Sequence, residues 1–197
     1  MIKIGVTGGI GSGKSIVCDI FRLHNIPIFD ADFEAKKLND TSLEIRNQLI
    51  YHFGNEIYDN DRLNKRKFAE LIFNNDENIK IANSIIHPKV ADCLVEWYNN
   101  LKDHSIAVVE AALLIEAGFH KFVDKIITVY APEELRIERV MKRDNINRSR
   151  VESRMFNQMP DTEKIKLSDF VIYNDNQQSL IAQVTKIMDE LSTETTV

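Results

Sequence analysis

The chain of 197 residues is long enough for one domain, or for one core carrying a lid and an inserted region. Its 44% hydrophobic, 28% charged and 8% aromatic residues exclude a disordered chain, a collagen and a disulfide-stapled miniprotein. The formal charge of -5, from 25 basic and 30 acidic side chains, speaks against a nucleic-acid partner, which a basic excess usually accompanies.

Ile2 to Thr7 reads as a short buried strand, followed at once by glycines. Ser15 to Leu23 reads as a helix, with Val17, Cys18, Ile20, Phe21 and Leu23 apolar. Ile26 to Phe29 reads as a second strand that ends at Asp30-Ala31-Asp32. Residues 33–104 are mostly helical in pattern. They include a polar turn at Asp59-Asn60-Asp61 and a break at His87-Pro88, because proline disfavours helix at the residue before it. Trp97 and Tyr98 read as core.

Ser105 to Val109 is a third strand and Lys125 to Tyr130 a fourth. Ala131-Pro132-Glu133-Glu134 opens a helix, with proline and acids in the first turn where both are favoured. Phe170 to Tyr173 is a fifth strand, Ser179 to Leu191 an amphipathic helix, and Thr193 to Val197 a frayed tail. Strands alternating with helices predict the α/β class: a parallel five-stranded sheet flanked by helices. The helical stretch between strands two and three is too long for a crossover and reads as an inserted, substrate-side region.

Cys18 and Cys93 belong to no CxxC and read as reduced thiols of a cytoplasmic protein. Ile106 to Gly118 is the longest apolar stretch. Glu110 and Glu116 interrupt it and it is too short to span a bilayer, so no membrane partner is expected. Residues 1–7 lack the charged leader and long apolar region of a signal peptide. The five histidines show no paired spacing for zinc.

Gly8-Gly9-Ile10-Gly11-Ser12-Gly13-Lys14-Ser15 matches G-x-x-x-x-G-K-[ST], with a strand before it and a helix after. Glycines let the backbone curl until successive N–H groups point inward at phosphate oxygens. The helix N-terminus adds partial positive charge. Lys14 reaches the β- and γ-phosphates, and Ser15 is placed to ligate Mg²⁺. The loop alone leaves a GTPase switch, a motor and a small-molecule kinase open. The D-x-x-G and N-K-x-D elements of a GTPase are missing, and the length excludes a large motor.

Asp30 and Asp32 close the strand beside the phosphate-loop strand, and ligands of parallel sheets bind outside the strands' carboxyl ends. Read as the end of an extended segment, the pair predicts one carboxylate that serves as a general base or orienter for an acceptor hydroxyl. Lys142 to Arg154 holds five basic and two acidic residues, against the acidity of the whole chain. Behind a phosphate loop this reads as a mobile lid over the transferring phosphate.

At these residues the chain resembles the dephospho-CoA kinase family over nearly its whole length. Ile4 to Ser15, Asp30-Ala31-Asp32 with Ala35 and Leu38, Arg62 to Lys65 with Phe68 to Phe73, and Ile86-His87-Pro88 look like successive family elements. So do Met141 to Asp144, Gln158-Met159-Pro160, and Asp169 to Ile172 leading to Asn174. The resemblance implies a phosphate-loop kinase fold: a core of 1–32 and 105–197 with a lid at about 142–160, and an acceptor region of 33–104. It implies transfer of the ATP γ-phosphate to the 3′-hydroxyl of dephospho-CoA, with Mg²⁺. Gly9 and Gly11 to Ile16 (Gly11, Ser12, Gly13, Lys14, Ser15 and Ile16) would hold ATP phosphates, and Asn174 would lie near the adenine. Asp32 would be the base, Lys14 and Arg143 would cover the phosphates, and His87, Leu113 and Leu114 would contact the acceptor.

Five elements depart from the family pattern. Ile16 stands for a threonine, Lys65 for an arginine, Arg136 for a glutamine, Lys36 for histidine or arginine, and Glu110 to Glu116 for D-x-P-L-L-[FY]-E. A kinase of this fold acting on another small acceptor, such as a nucleoside monophosphate or sugar acid, is one alternative. A nucleotide-binding module without turnover is the other. A monomer is favoured over an oligomer.

Overall fold

A computed structural model describes residues 1–72 and 75–194, with the side chain of Glu194 left aside. Phe73, counted above among the family elements, and residues 195–197 lie outside the described residues. The chain divides into two compact units, Met1–Phe29 with Asp103–Val197, and Asp30–Lys102.

The first unit is built on parallel strands. They are β1 (Ile2–Thr7), β2 (Ile28–Asp30), and further along the chain β5 (Ile106–Glu110), β6 (Lys125–Tyr130) and β7 (Phe170–Tyr173). The sheet order is β2-β5-β1-β6-β7. β1 pairs with β5 on one side (Ile4 opposite Val108) and with β6 on the other (Val6 opposite Ile127). β1 leads to β2 on one side of the sheet and β5 leads across to β6 on the other, so the strand order reverses at β1, where open parallel sheets place their ligand crevice at the carboxyl ends.

Helices α1 (Lys14–Leu23) and α9 (Leu180–Glu194) supply Val17, Cys18, Phe21, Val184 and Leu191, all fully buried, to a core with Ile4, Val6, Val108, Ile127, Val129 and Ile172. Full burial of each such aliphatic or aromatic side chain contributes roughly 1.5–3 kcal/mol. α9 runs through Thr193 and Glu194, so the fraying expected from Thr193 onward does not begin there.

The second unit contains α2 (Ala31–Thr41), α3 (Leu43–Phe53), strands β3 (Tyr58–Asp59) and β4 (Arg62–Leu63), α4 (Lys65–Ile72) and α5 (Asp76–Asn99). The polar turn proves to be a hairpin. Asn60 and Asp61 both take positive φ, 47° and 68°, as a type I′ turn between antiparallel strands requires. Side-chain caps start the helices: Asp30 accepts from the Phe33 N–H, Ser42 from Ile45 and Asn75 from Asn78. Ile45, Leu49, Ile57, Val90 and Leu94 form the interior.

Three expectations need correction. The strand that ends at Asp30 is not beside the phosphate-loop strand, because β5 lies between β2 and β1. α5 does not break at His87-Pro88 but continues through it to Asn99. An interior proline removes the bond to the carbonyl four residues back, here that of Ser84. Ser84 and Pro88 are both exposed, so that carbonyl faces water, while Ile85, Ile86 and Val90 hold the helix through their burial. Asp30-Ala31-Asp32 is not an extended segment either. The Asp30 cap turns the chain into helix at Ala31, and Asp32 stands in the first turn of α2.

Candidate active site

The loop of residues 8–13 joins β1 to α1 at the crevice. Gly13, the residue before α1, has φ 97°, and a Cβ there would lie 2.1 Å from Asn174 Nδ2. Only glycine combines that backbone with that approach. α1 has no side-chain cap, so its N-terminal donors and dipole are left for an anion. Lys14 is nearly buried, and its ammonium donates to the Gly8 carbonyl at 3.0 Å, folded across the loop.

Two groups hold the loop from behind. Asn174, at the end of β7, donates through Nδ2 to the Ser12 carbonyl at 2.7 Å. Arg139, on α6 (Glu133–Asp144), donates to the Gly11 carbonyl at 3.5 Å and to Asn174 Oδ1 at 3.3 Å. On the other side the Gly9 N–H donates to Asp161 Oδ1 at 3.2 Å and the Ile10 N–H to Gln158 Oε1 at 2.8 Å.

Ser15 Oγ donates to Glu110 Oε1 at 2.7 Å. Glu110 ends β5 and is 6% exposed. The Cys18 thiol, one helical turn past Ser15, also bonds Glu110. Burial, and then the Glu110 charge, push that thiol far above the ordinary cysteine range, so it is neutral and inert. Cys93 is likewise a free thiol. A hydroxyl backed by a carboxylate suits a hard cation that keeps several waters and takes its other oxygens from phosphates.

The lid-like stretch consists of the end of α6, a turn at Asn145 with φ 51°, and α7 (Arg148–Phe156). Ile137, Val140 and Val151 form its small core, with Ile10 of the phosphate loop packed on it. Three of its arginines, Arg143, Arg148 and Arg154, sit on carboxylates. Arg143 Nε is 2.7 Å from Asp144, which Arg154 also meets at 2.7 Å, and Arg148 bonds Glu134 and Glu152. Arg143, with Arg154, holds the Asp144 carboxyl below its ordinary range. A cavity of about 610 Å³ is lined by Gly9, Tyr130, Arg136, Phe156, Gln158 and Asp161, among others.

The second unit brings Asp32 and His87 together. Burial depresses the pKa of the half-buried His87, and the Asp32 carboxylate opposes that shift. Asp32 itself is exposed at the positive end of α2. Asp30 is committed to its cap.

Gly9 to Ile16 and Asn174 thus converge on one loop, whereas Arg143 reaches Asp144 instead of that loop. Leu113 is partly exposed. Leu114 is fully buried against Gly5. Sequence reasoning missed Glu110, Arg139, Gln158 and Asp161 as site residues. It also missed Lys164 on α8 (Asp161–Lys166), fully buried and bonded to the Ala112 carbonyl at 2.7 Å and to Glu116 at 2.9 Å. Gln158 and Glu110 lie within segments compared with the family pattern, but the contacts that make these residues part of the site join distant stretches of chain, which spacing does not encode.

A phosphate loop at the switch point of a parallel sheet, a lysine folded into it and a hydroxyl–carboxylate pair beside it define a P-loop kinase. The dephospho-CoA kinase family profile matches residues 2–179. The chain belongs to that family. It is 40% identical over 187 residues to a Bacteroides fragilis dephospho-CoA kinase, covering 95% of this chain and 91% of the relative. It is 36% identical over 194 residues to the Porphyromonas gingivalis one, covering 98% and 96%. The solved Campylobacter jejuni dephospho-CoA kinase superposes with TM-score 0.70 at 28% identity, covering 98% of each chain. An Acinetobacter baumannii shikimate kinase shares the fold alone, with TM-score 0.55 at 14% identity over 98% of this chain and 94% of that one.

Proposed function

We propose that the chain transfers the γ-phosphoryl group of ATP to the 3′-hydroxyl of dephospho-CoA, giving coenzyme A and ADP, the last step of coenzyme A biosynthesis. The observation that carries this reading is the intact phosphate loop, with Lys14 and the Ser15–Glu110 pair in place, in a member of the dephospho-CoA kinase family.

Gly9 and Gly11 to Ile16 line the triphosphate site, Gly9 through its backbone path because its N–H is held by Asp161, and Lys14 swings from the Gly8 carbonyl onto the phosphates. Ser15, backed by Glu110, would hold Mg²⁺ with ATP, and the ion would supply charge neutralisation at the phosphate oxygens. Asp32 orients the 3′-hydroxyl and takes its proton as the O3′–P bond forms and the bond from γ-phosphorus to the ADP oxygen breaks. Arg143 leaves Asp144 to cover the transferring group. His87 and Leu113 contact the acceptor, carried by the unit of residues 30–102 and by the segment after β5. Asn174 lies beside the adenine while its amide supports the loop. Most of the acceleration is positioning and charge stabilisation, because a loose phosphoryl transition state needs little covalent help. The protein acts as a monomer in the cytoplasm, in keeping with its two free thiols.

The test is ADP release with Mg·ATP and, separately, dephospho-CoA, AMP, CMP, shikimate or no acceptor. Turnover confined to dephospho-CoA supports the reading. Turnover confined to another acceptor keeps the phosphate site and replaces the substrate. ATP binding with no turnover on any acceptor leaves a binding module.

A further inference from the structure

The front of the phosphate loop is fixed by a buried ion pair. Arg136 Nη2 lies 2.9 Å from Asp161 Oδ2, and the two side chains are 8% and 10% exposed. The other Asp161 oxygen accepts the Gly9 N–H. A Cβ on Gly9 would stand 1.9 Å from Arg136 Nη1 and 3.0 Å from Asp161 Oδ1. A Cβ on Gly11 would stand 2.6 Å from the Arg136 carbonyl oxygen. The loop therefore presses on the arginine along both its side chain and its backbone. Arg136 Nε is buried without a hydrogen-bond partner.

Stability does not account for this arrangement. Desolvating two charges usually costs as much as their attraction returns, and apolar packing serves as well. What the pair does is aim one carboxylate oxygen. Arg136 fixes one oxygen of Asp161, and the other then has a single direction, toward Gly9. Gln158 does the same for Ile10 from the adjacent turn.

We infer that Arg136 and Asp161 are positioning residues for phosphoryl transfer: they set the path of Gly9 and Ile10, and through it the direction of the Gly11 donor at the front of the loop. The inference rests on the kinase reading above. The helix end of the loop, fixed by α1 and Asn174, does not depend on them. Nucleotide binding at the helix end and turnover at the front therefore separate.

The experiment uses the full chain and four variants: Asp161→Ala, Asp161→Asn, Arg136→Met and the double variant Arg136→Met/Asp161→Asn. Turnover with dephospho-CoA, ADP affinity by calorimetry, thermal midpoint and amide hydrogen exchange at Gly9 and Ile10 are measured on each. Asp161→Ala is expected to lower kcat at least about tenfold, the scale of sub-ångström misplacement, with ADP affinity changed less than about threefold and faster exchange at Gly9. Each charge-stripping single variant leaves a buried charge alone. The double variant removes both charges but keeps an amide oxygen for Gly9, and is expected to recover at least about fivefold in kcat over the worse single.

Unchanged kcat and Gly9 exchange in Asp161→Ala overturn the inference. So does a parallel loss of kcat, ADP affinity and thermal midpoint, or a double variant no better than the worse single. If the wild-type chain gives no turnover, the reaction reading fails, and the exchange measurement still decides whether the pair holds the loop.

Discussion

Ser15 Oγ donates to Glu110 Oε1 at 2.7 Å, which places the phosphate-loop hydroxyl and the last residue of β5 in one small acidic site. The bond joins α1 to β5 beside the crevice. It also explains how a glutamate serves where the family pattern has an aspartate: its extra methylene reaches the serine from a buried position. Replacing Glu110 with Gln keeps the shape and removes the charge. The Mg²⁺ concentration giving half-maximal rate should rise by roughly ten- to a hundredfold, the usual effect of losing a supporting group behind a metal ligand. A metal titration of the rate checks this, and an unchanged midpoint contradicts it.

Lys14 is the cation folded across the loop. Its replacement by Met should lower kcat by about 10²–10³-fold, as for the loss of one charge-stabilising donor. Steady-state kinetics with Mg·ATP measures it. Near-normal activity would remove Lys14 from the transfer step.

Gly13 carries both a positive φ and the Asn174 amide against its Cα. Gly13→Ala should destabilise the protein by roughly 2–5 kcal/mol, adding the left-handed backbone strain to the cost of overpacking. Urea denaturation reads the change. A loss below the unfolding error would mean that the loop relaxes at little cost.

His87 titrates below its ordinary value in the folded unit because burial disfavours the imidazolium. The unfolded chain therefore binds more protons than the fold does once the pH falls below the ordinary histidine range. Stability from this group is intact above that range and declines as pH falls toward the folded pKa. His87→Gln should flatten that part of the pH–stability curve. Asp32→Asn removes the charge that opposes the shift, so the His87 pKa should fall further. An NMR titration of the imidazole in wild type and Asp32→Asn decides it. An unmoved or raised pKa would separate the two residues.

Much of the sheet was legible because its strands are short apolar runs punctuated by turns. Lys125 to Tyr130 and Phe170 to Tyr173 are read to the residue, and β1 with its glycine loop announces the phosphate site. The Asp30 cap carried a signal too, an aspartate three residues before the N–H it accepts, but the apolar strand ahead of it drew Asp32 into the wrong backbone class. Pro88 misled for a related reason. A local rule about the residue before proline was overridden by burial of Ile85, Ile86 and Val90, which no short window displays. The site residues that escaped reading, Glu110, Gln158 and Asp161, contact the loop from 95 to 152 positions away. Such pairs are consequences of sheet order, and they became visible only once β5 and the stretch before β7 were placed around β1.

The reaction proposed for this chain is regiospecific phosphorylation of dephospho-CoA. The most direct measurement is product analysis, by mass spectrometry and phosphorus NMR, of the full chain incubated with Mg·ATP and dephospho-CoA. The account predicts coenzyme A, with one phosphate on the ribose 3′-hydroxyl and one ADP formed per phosphate transferred. ADP formed with dephospho-CoA unchanged, or a phosphate placed on another hydroxyl, would contradict it.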